Sequence, residues 1–342
     1  MTAAVLFGAS TPFSKLLLAR IDPVTLAGLM YLGAGVGLLG WRAAAAGLRR
    51  GVPREPSLGR RDLPWLAGAV VTGGVAAPIL LLAGLRELPA ATASLLLSLE
   101  GAFTAVLAWG FFGEHLGRRV AAGVLSITAG GFVLAWAPGG GPPAAGGAVF
   151  VAAACLAWAV DNNLTRRVAA GDPLQVAGVK GLAAGAVSLV LGRWAGGELP
   201  GPGAAAAAGA VGLVTYGVSL AFFVLALRHL GAARTVGYFS VAPFVGAGLS
   251  LLLPGEGVTA ALLAGGALTA WGVWLHLTER HPHEHKHTPD VHEHSHRHGE
   301  HHRHPHPQGS TGERVHAHPH AHTRLLHRHP HYPDLHHRHR HR

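Results

Sequence analysis

Long apolar runs separated by short polar joints fill the chain up to residue 277. Each run is about twenty residues long, and a helix of that length, at 1.5 Å per residue, crosses the ~30 Å hydrocarbon core of a bilayer. Proline, glycine and charged residues mark the joints, as at Asp22-Pro23 and Asp172-Pro173. The pattern predicts an all-α integral membrane protein with ten transmembrane helices over residues 1–19, 22–41, 62–85, 89–112, 117–137, 144–164, 173–192, 203–227, 232–253 and 257–277.

The pattern changes abruptly after residue 277. Residues 278–342 contain almost no apolar side chains, so this tail cannot build a hydrophobic core and is predicted to be disordered. At the other end, the first apolar run starts at Met1 without a basic segment before it. We therefore expect no separate signal peptide, and whether the chain begins upstream of Met1 stays open.

The apolar part of the chain repeats itself. Residues 22–28 return with similar residues at 172–178, and residues 85–91 return at 227–233. At the second offset, Gly113-Glu114 matches Gly255-Glu256 and Gly123 matches Gly265. Chance similarity between Ala/Gly/Leu-rich helices is the competing explanation, but it accounts poorly for rare polar residues that match in order. The repeat predicts three domains: residues 1–137, residues 144–277 and the tail, 278–342.

Each repeat holds five predicted spans. Because five is odd, the second repeat must be inserted upside down relative to the first. Inverted repeats are the architecture of many secondary transporters, whose substrate site lies near the membrane midplane where the repeats meet. The sequence therefore favours a transporter that works by alternating access. An enzyme is not expected, because no nucleophile–base pair, phosphate loop or closed metal-site motif is present.

The basic residues predict an orientation. Loops after odd-numbered spans carry only Arg20, Arg86 and Arg193. Loops after even-numbered spans carry twelve arginines, namely Arg42, Arg49, Arg50, Arg54, Arg60, Arg61, Arg118, Arg119, Arg166, Arg167, Arg228 and Arg234. Since cytoplasmic loops are enriched in Lys and Arg, both termini and the tail are predicted to be cytoplasmic, with the protein in a cell membrane, as in a bacterial inner membrane.

Composition agrees with membrane insertion and argues against nucleic-acid binding. The chain is 49% hydrophobic and 13% charged, whereas soluble domains are roughly 25% charged. The net charge of +10 is spread over short loops and the tail, as in membrane proteins, and forms no separate basic domain. The expected partners are the lipid bilayer, a small-molecule substrate and, through the tail, transition-metal ions. Cys155, the one cysteine, lies in an apolar run and is predicted to be an inert buried thiol.

Several short motifs in both repeats resemble a known family. They are Phe7-Gly8-Ala9-Ser10 followed by Lys15 and Asp22-Pro23, their counterpart Trp158 followed by Arg166 and Asp172-Pro173, Leu99-Glu100, and the two Gly-Glu pairs. Over residues 1–277 the chain resembles the EamA-type transporters of the drug/metabolite transporter superfamily. The resemblance implies a ten-helix bundle that moves small metabolites, often outward, and implies no particular substrate. Ala242-Pro243 stands where the first repeat has Glu100-Gly101, so any role of Glu100 is not duplicated.

Glu100 is the leading candidate for a functional residue within the membrane. A charge at the bilayer centre costs at least ~2.5 kcal/mol on insertion scales, so it needs a reason to be there. Glu100 is predicted near the middle of the fourth span with no charged neighbour in sequence. Either it takes up a proton or holds a cationic group, or it is a neutral carboxyl hydrogen-bonded to another helix.

Further polar and aromatic candidates lie in the second repeat. Lys180 aligns with Met30, so its charge is present in one half only; it pairs with Glu100 or Asp161, binds a substrate carboxylate, or extends to the headgroups. The remaining candidates either line the cavity or serve interfacial and packing roles, and they are Asp161, Asn162, Asn163, Trp158 and Tyr238. Pro12 and Pro243 are candidate helix breaks of the kind that transporter sites use.

The tail holds 23 of the 26 histidines, many in alternation with other residues. Neutral imidazole is a good ligand for Zn, Ni, Co and Cu, so the tail is predicted to bind such ions, although no cofactor is required. The alternatives are a repeat expanded without selection and a polycation that lies on anionic lipid. The main candidate ligands are His281, His283, His285, His287, His292, His294, His296, His298, His316, His318, His320 and His322, and the alternation returns at His327, His329 and His331.

The core and the tail indicate different substrates. The spans contain few metal ligands, which favours an organic metabolite such as an amino acid or an amphiphile, exported and coupled to protons through Glu100. The tail favours metal handling, so a divalent-metal (Ni/Co/Zn) exporter is the first alternative. A membrane-anchored metal store is the second, although an anchor needs one helix rather than ten.

Overall fold

A computed structural model of the chain describes residues 1–48, 58–112, 117–136, 142–169 and 171–278, together with four short strands in the tail. The helices are α1 (Thr2–Gly8), α2 (Ser10–Leu17), α3 (Pro23–Leu48), α4 (Leu63–Ala69), α5 (Ala77–Glu87), α6 (Ala90–Leu96), α7 (Leu99–Phe112), α8 (Arg118–Ala135), α9 (Pro142–Val168), α10 (Pro173–Trp194), α11 (Pro202–Gly212), α12 (Ser219–Phe239), α13 (Ala242–Ser250) and α14 (Ala260–Leu277). Two π-helical segments, Val70–Ala76 and Leu213–Val218, join α4 to α5 and α11 to α12.

In the described part of the chain, eight helical stretches are long and apolar enough to cross a membrane. They are Pro23–Ala45, Leu63–Glu87, Ala90–Phe111, Arg118–Ala135, Ala145–Thr165, Pro173–Trp194, Pro202–Leu227 and Ala260–Leu277. These stretches match the predicted spans two to eight and ten. The first predicted span is present as the two short helices α1 and α2, and the ninth as the end of α12 followed by α13.

The predicted joint between the eighth and ninth spans is wrong. The repeat predicts it near residues 227–232 by analogy with Leu85–Ala91, where α5 ends and α6 begins after Pro89. In the second half the chain stays helical through this region, within α12. Proline removes a backbone donor and interrupts a helix, whereas its counterpart here is Gly231, which keeps its N–H and allows the helix to continue.

Large apolar side chains cover the outside of the helix bundle. Leu125 and Phe132 on α8, Val190 on α10 and Leu263 on α14 are among those that are mostly exposed. A soluble protein rarely leaves such a contiguous apolar surface uncovered. Here the acyl chains of lipids would cover it, in agreement with a multi-pass membrane protein.

The packing of α3 against α10 is reciprocal between the two halves. A Cβ added at Gly28 would lie 2.8 Å from Leu189 Cγ, and one at Gly178 would lie 2.7 Å from Leu39 Cγ. The separation in sequence between Gly28 and Gly178 equals that between Leu39 and Leu189. A two-fold relation between the halves produces this reciprocity, and glycine at both positions lets the helices approach closely.

The helices α8 and α14 show the same reciprocity near the other end of each half. Gly123 packs on the carbonyl of Gly272, and Gly265 packs on the carbonyl of Gly130. Between these contacts, Ser126 Oγ donates a hydrogen bond to the carbonyl of Leu268, 2.7 Å away. Both helix pairs therefore join the two halves through small residues, which indicates that the repeat in the sequence is also a repeat in space.

Two of the membrane spans are broken at equivalent positions. The break between α6 and α7 lies at Leu97-Ser98, and the break between α12 and α13 lies at Ser240-Val241. The two breaks lie near each other, since a Cβ at Gly101 would be 3.7 Å from Ser240 Oγ. Pro243 sits in the first turn of α13, where a proline is tolerated and the helix begins anew. Broken helices of this kind supply backbone groups to transporter sites.

Four short segments of the tail are strands. Strands β1 (Pro282–Lys286), β2 (Val291–His296), β3 (His316–Ala321) and β4 (Leu326–Pro330) form two antiparallel two-stranded sheets, β1 with β4 and β2 with β3. Apart from Thr278, the other residues of the tail lie outside the described part of the chain, so the disorder predicted for the tail stays a prediction.

Candidate functional site

A small cavity lies inside the bundle, where the two halves meet. Its volume is about 50 Å³ when measured as the space open to the centre of a water molecule, and roughly 10–15 Å³ of such space holds one water. In this conformation it has room for a few waters or a very small solute. The lining residues are Phe7, Tyr31, Glu100, Trp158, Asp161, Asn162, Lys180, Tyr216, Ser219, Leu220, Phe223 and Phe239.

Lys180 and Asp161 form a buried ion pair at the cavity wall. Lys180 Nζ lies 2.5 Å from Asp161 Oδ2 and 2.7 Å from Oδ1, so the ammonium contacts both carboxylate oxygens. Lys180 is 1% exposed and Asp161 is 4% exposed. Thr165 Oγ1, one turn further along α9, donates a third hydrogen bond to Asp161 at 2.9 Å. The pair is strongly held, because each buried charge is stabilised by the other.

Glu100 lines the same cavity as this pair. It stands in the first turn of α7, directly after the break in the fourth span. Asn162 Nδ2 donates a hydrogen bond to Glu100 Oε1 over 2.8 Å. The lining residues thus include two carboxyls and one ammonium, and the ammonium is bonded to Asp161. An amide stabilises one oxygen of Glu100 but supplies no opposite charge.

The π-helical segment Val70–Ala76 contacts three of the lining residues. Tyr31 Oη and Trp158 Nε1 both donate hydrogen bonds to the carbonyl of Gly73, at 2.9 and 3.1 Å. Gly73 also packs directly on the carboxylate of Asp161, which leaves no room for a Cβ there. Because π-helical turns disturb the regular backbone ladder, they often occur at functional sites. Here the segment orients two aromatic rings and makes room for the ion pair.

Aromatic rings form much of the rest of the cavity lining. The Phe7 ring meets the Trp158 ring edge-on at a centroid distance of 5.6 Å and the Phe239 ring at 5.1 Å. Tyr31 contacts Tyr216, from the second π-helical segment, at 5.0 Å. Rings from both halves therefore surround the three charged groups with apolar surface. Such a wall excludes water and can hold the apolar or cationic part of a small solute.

The structure brings together five of the seven predicted site residues. Glu100, Asp161, Asn162, Trp158 and Lys180 all line the cavity.

The other two predicted residues are placed elsewhere. Asn163 points along its own helix, and its Nδ2 donates to the carbonyl of Ala159. Tyr238 is 44% exposed and is not part of the lining. Asn163 follows Asn162 by one residue, which rotates it by about 100° around α9 and away from the cavity.

Sequence reasoning missed most of the aromatic wall. Phe7, Tyr31, Phe223 and Phe239 were not among the candidates, since aromatic residues in apolar spans are usually explained by packing. The π-helical segments carry no sequence signal that we could use.

At one end of the bundle, charged side chains bind the ends of two helices. Lys15 Nζ donates hydrogen bonds to the carbonyls of Leu85 and Leu88, at 2.6 and 2.7 Å, where α5 ends. The carboxylate of Glu256 accepts from the N–H groups of Ala90 and Ala91, at 2.5 and 3.3 Å, where α6 begins. Each charge has the sign that the helix dipole favours at that end. Since Glu256 belongs to the second half and α6 to the first, this contact ties the halves together.

A different set of contacts ties the halves together at the opposite end. Arg42 Nε lies 2.6 Å from Asp172 Oδ2, which joins the end of α3 to the start of α10. The backbone N–H of Leu58 donates to Gln175 Oε1 over 3.1 Å. Asp172 also caps α10 by accepting from the N–H groups of Leu174 and Gln175. These contacts join the two halves at this end.

In the described part of the chain, no group of three or more His, Cys, Asp or Glu side chains is placed to hold a metal ion.

Comparison with known proteins identifies the family. The chain is 28% identical over 260 residues to a protein described as an uncharacterized transporter from Methanothermobacter thermautotrophicus, which covers 72% of this chain and 76% of that protein. A crystal structure, described only as that of a protein, superimposes with a TM-score of 0.56 at 23% identity, over 80% of this chain and 94% of the other. That likeness concerns the fold alone.

A family model for the EamA-like transporter family matches residues 1–136 and again residues 145–278. Two successive matches agree with the duplication seen in the packing of the helices. The chain therefore belongs to the EamA-like transporter family: it is a membrane transporter and not an enzyme.

Proposed function

We propose that this protein is a secondary transporter that exports a small organic metabolite by alternating access, with the cavity between the halves as its substrate site. The observation that carries the proposal is the cluster of Glu100, Asp161 and Lys180, buried in an aromatic-walled cavity to which both halves contribute. Charges at this depth are costly and are retained where they serve a function. The two halves are residues 1–137 and 144–277.

The balance of charge in the cavity supports coupling to protons. Lys180 stabilises Asp161, so Glu100 is the carboxyl without a cationic partner among the lining residues. Removing a negative charge from water without compensation is unfavourable. Glu100 is therefore expected to bind either a proton or a positively charged group of the substrate, and competition between the two would couple their movements in opposite directions.

Contacts at the two ends of the bundle suggest how the halves could move relative to each other. Lys15, Glu256 and the α5–α6 connection lie at the end that the arginine distribution assigns to the outside. Arg42 and Asp172 lie at the end assigned to the cytoplasm, together with both termini. We propose that the Glu256 contact closes the outer end and that it breaks when the transporter opens outward.

Comparing the metabolites that cells release tests this function even while the substrate is unidentified. Cells would express the full chain, or the chain with Lys180→Met and Asp161→Thr, and small molecules in the medium would be compared by mass spectrometry. We expect at least one metabolite to accumulate in the medium several-fold more with the unaltered chain. If neither the medium nor the cytoplasm differs between the two, the proposal of export through this cavity is wrong.

A metal exporter is not favoured as a second function. The cavity holds two carboxyls that are engaged by Lys180 and Asn162, and no imidazole or thiol is among its lining residues. Transition metals are usually bound by such nitrogen and sulfur ligands. The histidines of the tail are therefore considered separately from the transport site.

A further inference from the structure

The charges around the cavity do not balance. Among the described residues that line it, Lys180 carries the positive charge, whereas Glu100 and Asp161 are both carboxyls. With both carboxyls ionised, the lining therefore has one negative charge in excess. Because a charge away from water is costly unless an opposite charge compensates it, this state favours a ligand that brings one positive charge.

The Lys180 ammonium is already bound by a carboxylate of the protein. Its Nζ lies 2.5 and 2.7 Å from the two side-chain oxygens of Asp161, which also accepts a hydrogen bond from Thr165 Oγ1. A ligand carboxylate at Lys180 would lie beside Asp161, and like charges repel strongly where little water screens them. The ion pair therefore disfavours any ligand that carries a carboxylate.

Several neutral donors of the lining are also engaged by the protein. Tyr31 Oη and Trp158 Nε1 both donate to the carbonyl of Gly73, at 2.9 and 3.1 Å. Ser219 Oγ donates to the carbonyl of Ala3 at 2.8 Å. To bind an anion, these groups would have to leave buried carbonyls without a donor, which is unfavourable.

The groups that attract cations are better placed. Asn162 Nδ2 donates to Oε1 of Glu100 at 2.8 Å, and this neutral amide leaves the negative charge of the carboxylate uncompensated. The Phe7 ring lies 5.6 Å from the Trp158 ring and 6.0 Å from the Tyr216 ring, measured between centroids. The faces of such rings attract cations, and aromatic cages bind organic ammonium ions in this way.

We propose that the cavity selects small organic monocations, in particular primary ammonium ions, over ligands that carry a carboxylate. The ammonium binds Glu100, and the apolar part of the ligand contacts the rings of Phe7 and Trp158. A zwitterion is disfavoured because its carboxylate would be buried without free donors. This proposal rests on the proposed function, since it names the substrate class of the same site. The cavity volume of about 50 Å³ limits the ligand to a few heavy atoms in this conformation.

Binding of three matched ligands to the purified full chain in nonionic detergent tests the selectivity. Propylammonium, propanoate and β-alanine share a short carbon chain and differ in charge, and isothermal titration calorimetry measures their affinities. We expect propylammonium to bind about tenfold more tightly than the other two, as one hydrogen-bonded charge would give. Its affinity should fall as the pH is lowered, because protons compete for Glu100. If propanoate or β-alanine binds as tightly, or if none of the three binds, the proposal is wrong.

Two matched variants test the role assigned to Glu100. Glu100→Gln should weaken propylammonium binding about tenfold and remove its pH dependence, because the charge is lost while the size is kept. Glu198→Gln makes the same change at an exposed carboxyl and should leave the affinity unchanged. An unchanged affinity in the Glu100 variant, or equal losses in both, would contradict the proposal. Thermal unfolding without ligand checks that each variant is folded, and the ligand series needs no substitution.

The same titrations separate this proposal from the proposed function. If β-alanine or propanoate binds tightly and Lys180→Met with Asp161→Thr abolishes that binding, the cavity remains the substrate site and only its charge class is wrong. Export itself is tested by the comparison of released metabolites, which makes no assumption about the charge of the substrate.

Discussion

At the scale of single residues, the buried ion pair of the cavity, Lys180 with Asp161, belongs to one half of a duplicated protein. At the offset that relates Asp22-Pro23 to Asp172-Pro173, Lys180 corresponds to Met30 and Asp161 to Thr11. Met30 and Thr11 are also fully buried, so both halves pack this region tightly. Only the second half places opposite charges there. The helices of the two halves are therefore related by two-fold symmetry, but the charged residues of the cavity are not.

Replacing Lys180 with the residue of the first half is expected to destabilise the protein strongly. Lys180→Met leaves Asp161 buried without a cation, and breaking a buried pair in this way costs about 3–5 kcal/mol. Lys180→Met with Asp161→Thr removes both charges and should recover most of that loss. Thermal unfolding in detergent measures both variants. Equal midpoints for the single and double variants would contradict the importance of the pair.

Glu100→Gln keeps the size of the side chain and its contact with Asn162 but cannot exchange a proton. We expect the variant to transport with a rate that no longer changes with pH, because the group proposed to titrate is absent. The measurement is the rate of release of the exported metabolite from membrane vesicles at several external pH values. A variant with normal transport and an unchanged pH profile would remove Glu100 from the coupling mechanism.

At the scale of elements, interruptions of regular helix form the site. The π-helical segment Val70–Ala76 offers the carbonyl of Gly73 to two rings, and the break at Leu97-Ser98 starts α7 beside the cavity, with Glu100 in its first turn. The equivalent interruptions, Leu213–Val218 and Ser240-Val241, occur in the second half. If these helices were uninterrupted, the same side chains would not be placed around one cavity.

Gly73→Ala tests how closely the π-helical segment fits the ion pair. The added methyl group would overlap the carboxylate of Asp161, so we expect a loss of thermal stability of about 1–3 kcal/mol, as for an overpacked core, and a loss of export. Gly101→Ala is the matched control, because a Cβ there meets its nearest neighbour at an ordinary distance of 3.7 Å. Similar effects of the two substitutions would contradict the close fit at Gly73.

Glu256→Ala is expected to open the outer end of the bundle. Without the carboxylate, the N–H groups of Ala90 and Ala91 lose their acceptor and the second half loses a contact with α6. A cysteine placed in the cavity by Leu220→Cys, with Cys155→Ala, should then react several-fold faster with a membrane-impermeant maleimide added outside. Glu198→Ala, which alters an exposed glutamate of another loop, should leave the rate unchanged. An unchanged rate in the Glu256 variant would exclude a role in closure.

At the scale of the whole molecule, the inverted repeat makes a definite prediction of topology. In the Cys155→Ala background, Leu199→Cys lies in the loop after an odd-numbered span, and Arg60→Cys lies after an even-numbered one. We expect an impermeant maleimide to label the cysteine at 199 in intact cells and the cysteine at 60 only after the membrane is permeabilised. The reverse pattern would mean that the chain is inserted in the opposite orientation.

The amino-acid sequence by itself determined the class of the protein and its repeat. The apolar runs must lie in a membrane because of their length and composition alone, and the repeated polar positions are visible without coordinates. Glu100, Asp161 and Lys180 could be recognised as candidates because a charge in an apolar run is costly wherever it lies. The same reasoning placed the joint between the eighth and ninth spans wrongly. Whether two similar segments are interrupted or continue as one helix can depend on a single proline.

Only the tertiary structure decided which of these groups act together. The choice of Asp161 as the partner of Lys180, and the rotation of Asn163 away from the cavity, depend on how α9 and α10 face each other. The aromatic wall depends on rings from five or more distant segments, and the pairing of histidines in the tail depends on strand register. Contacts between residues distant in the chain follow from the packing of whole elements, and local sequence constrains that packing only weakly.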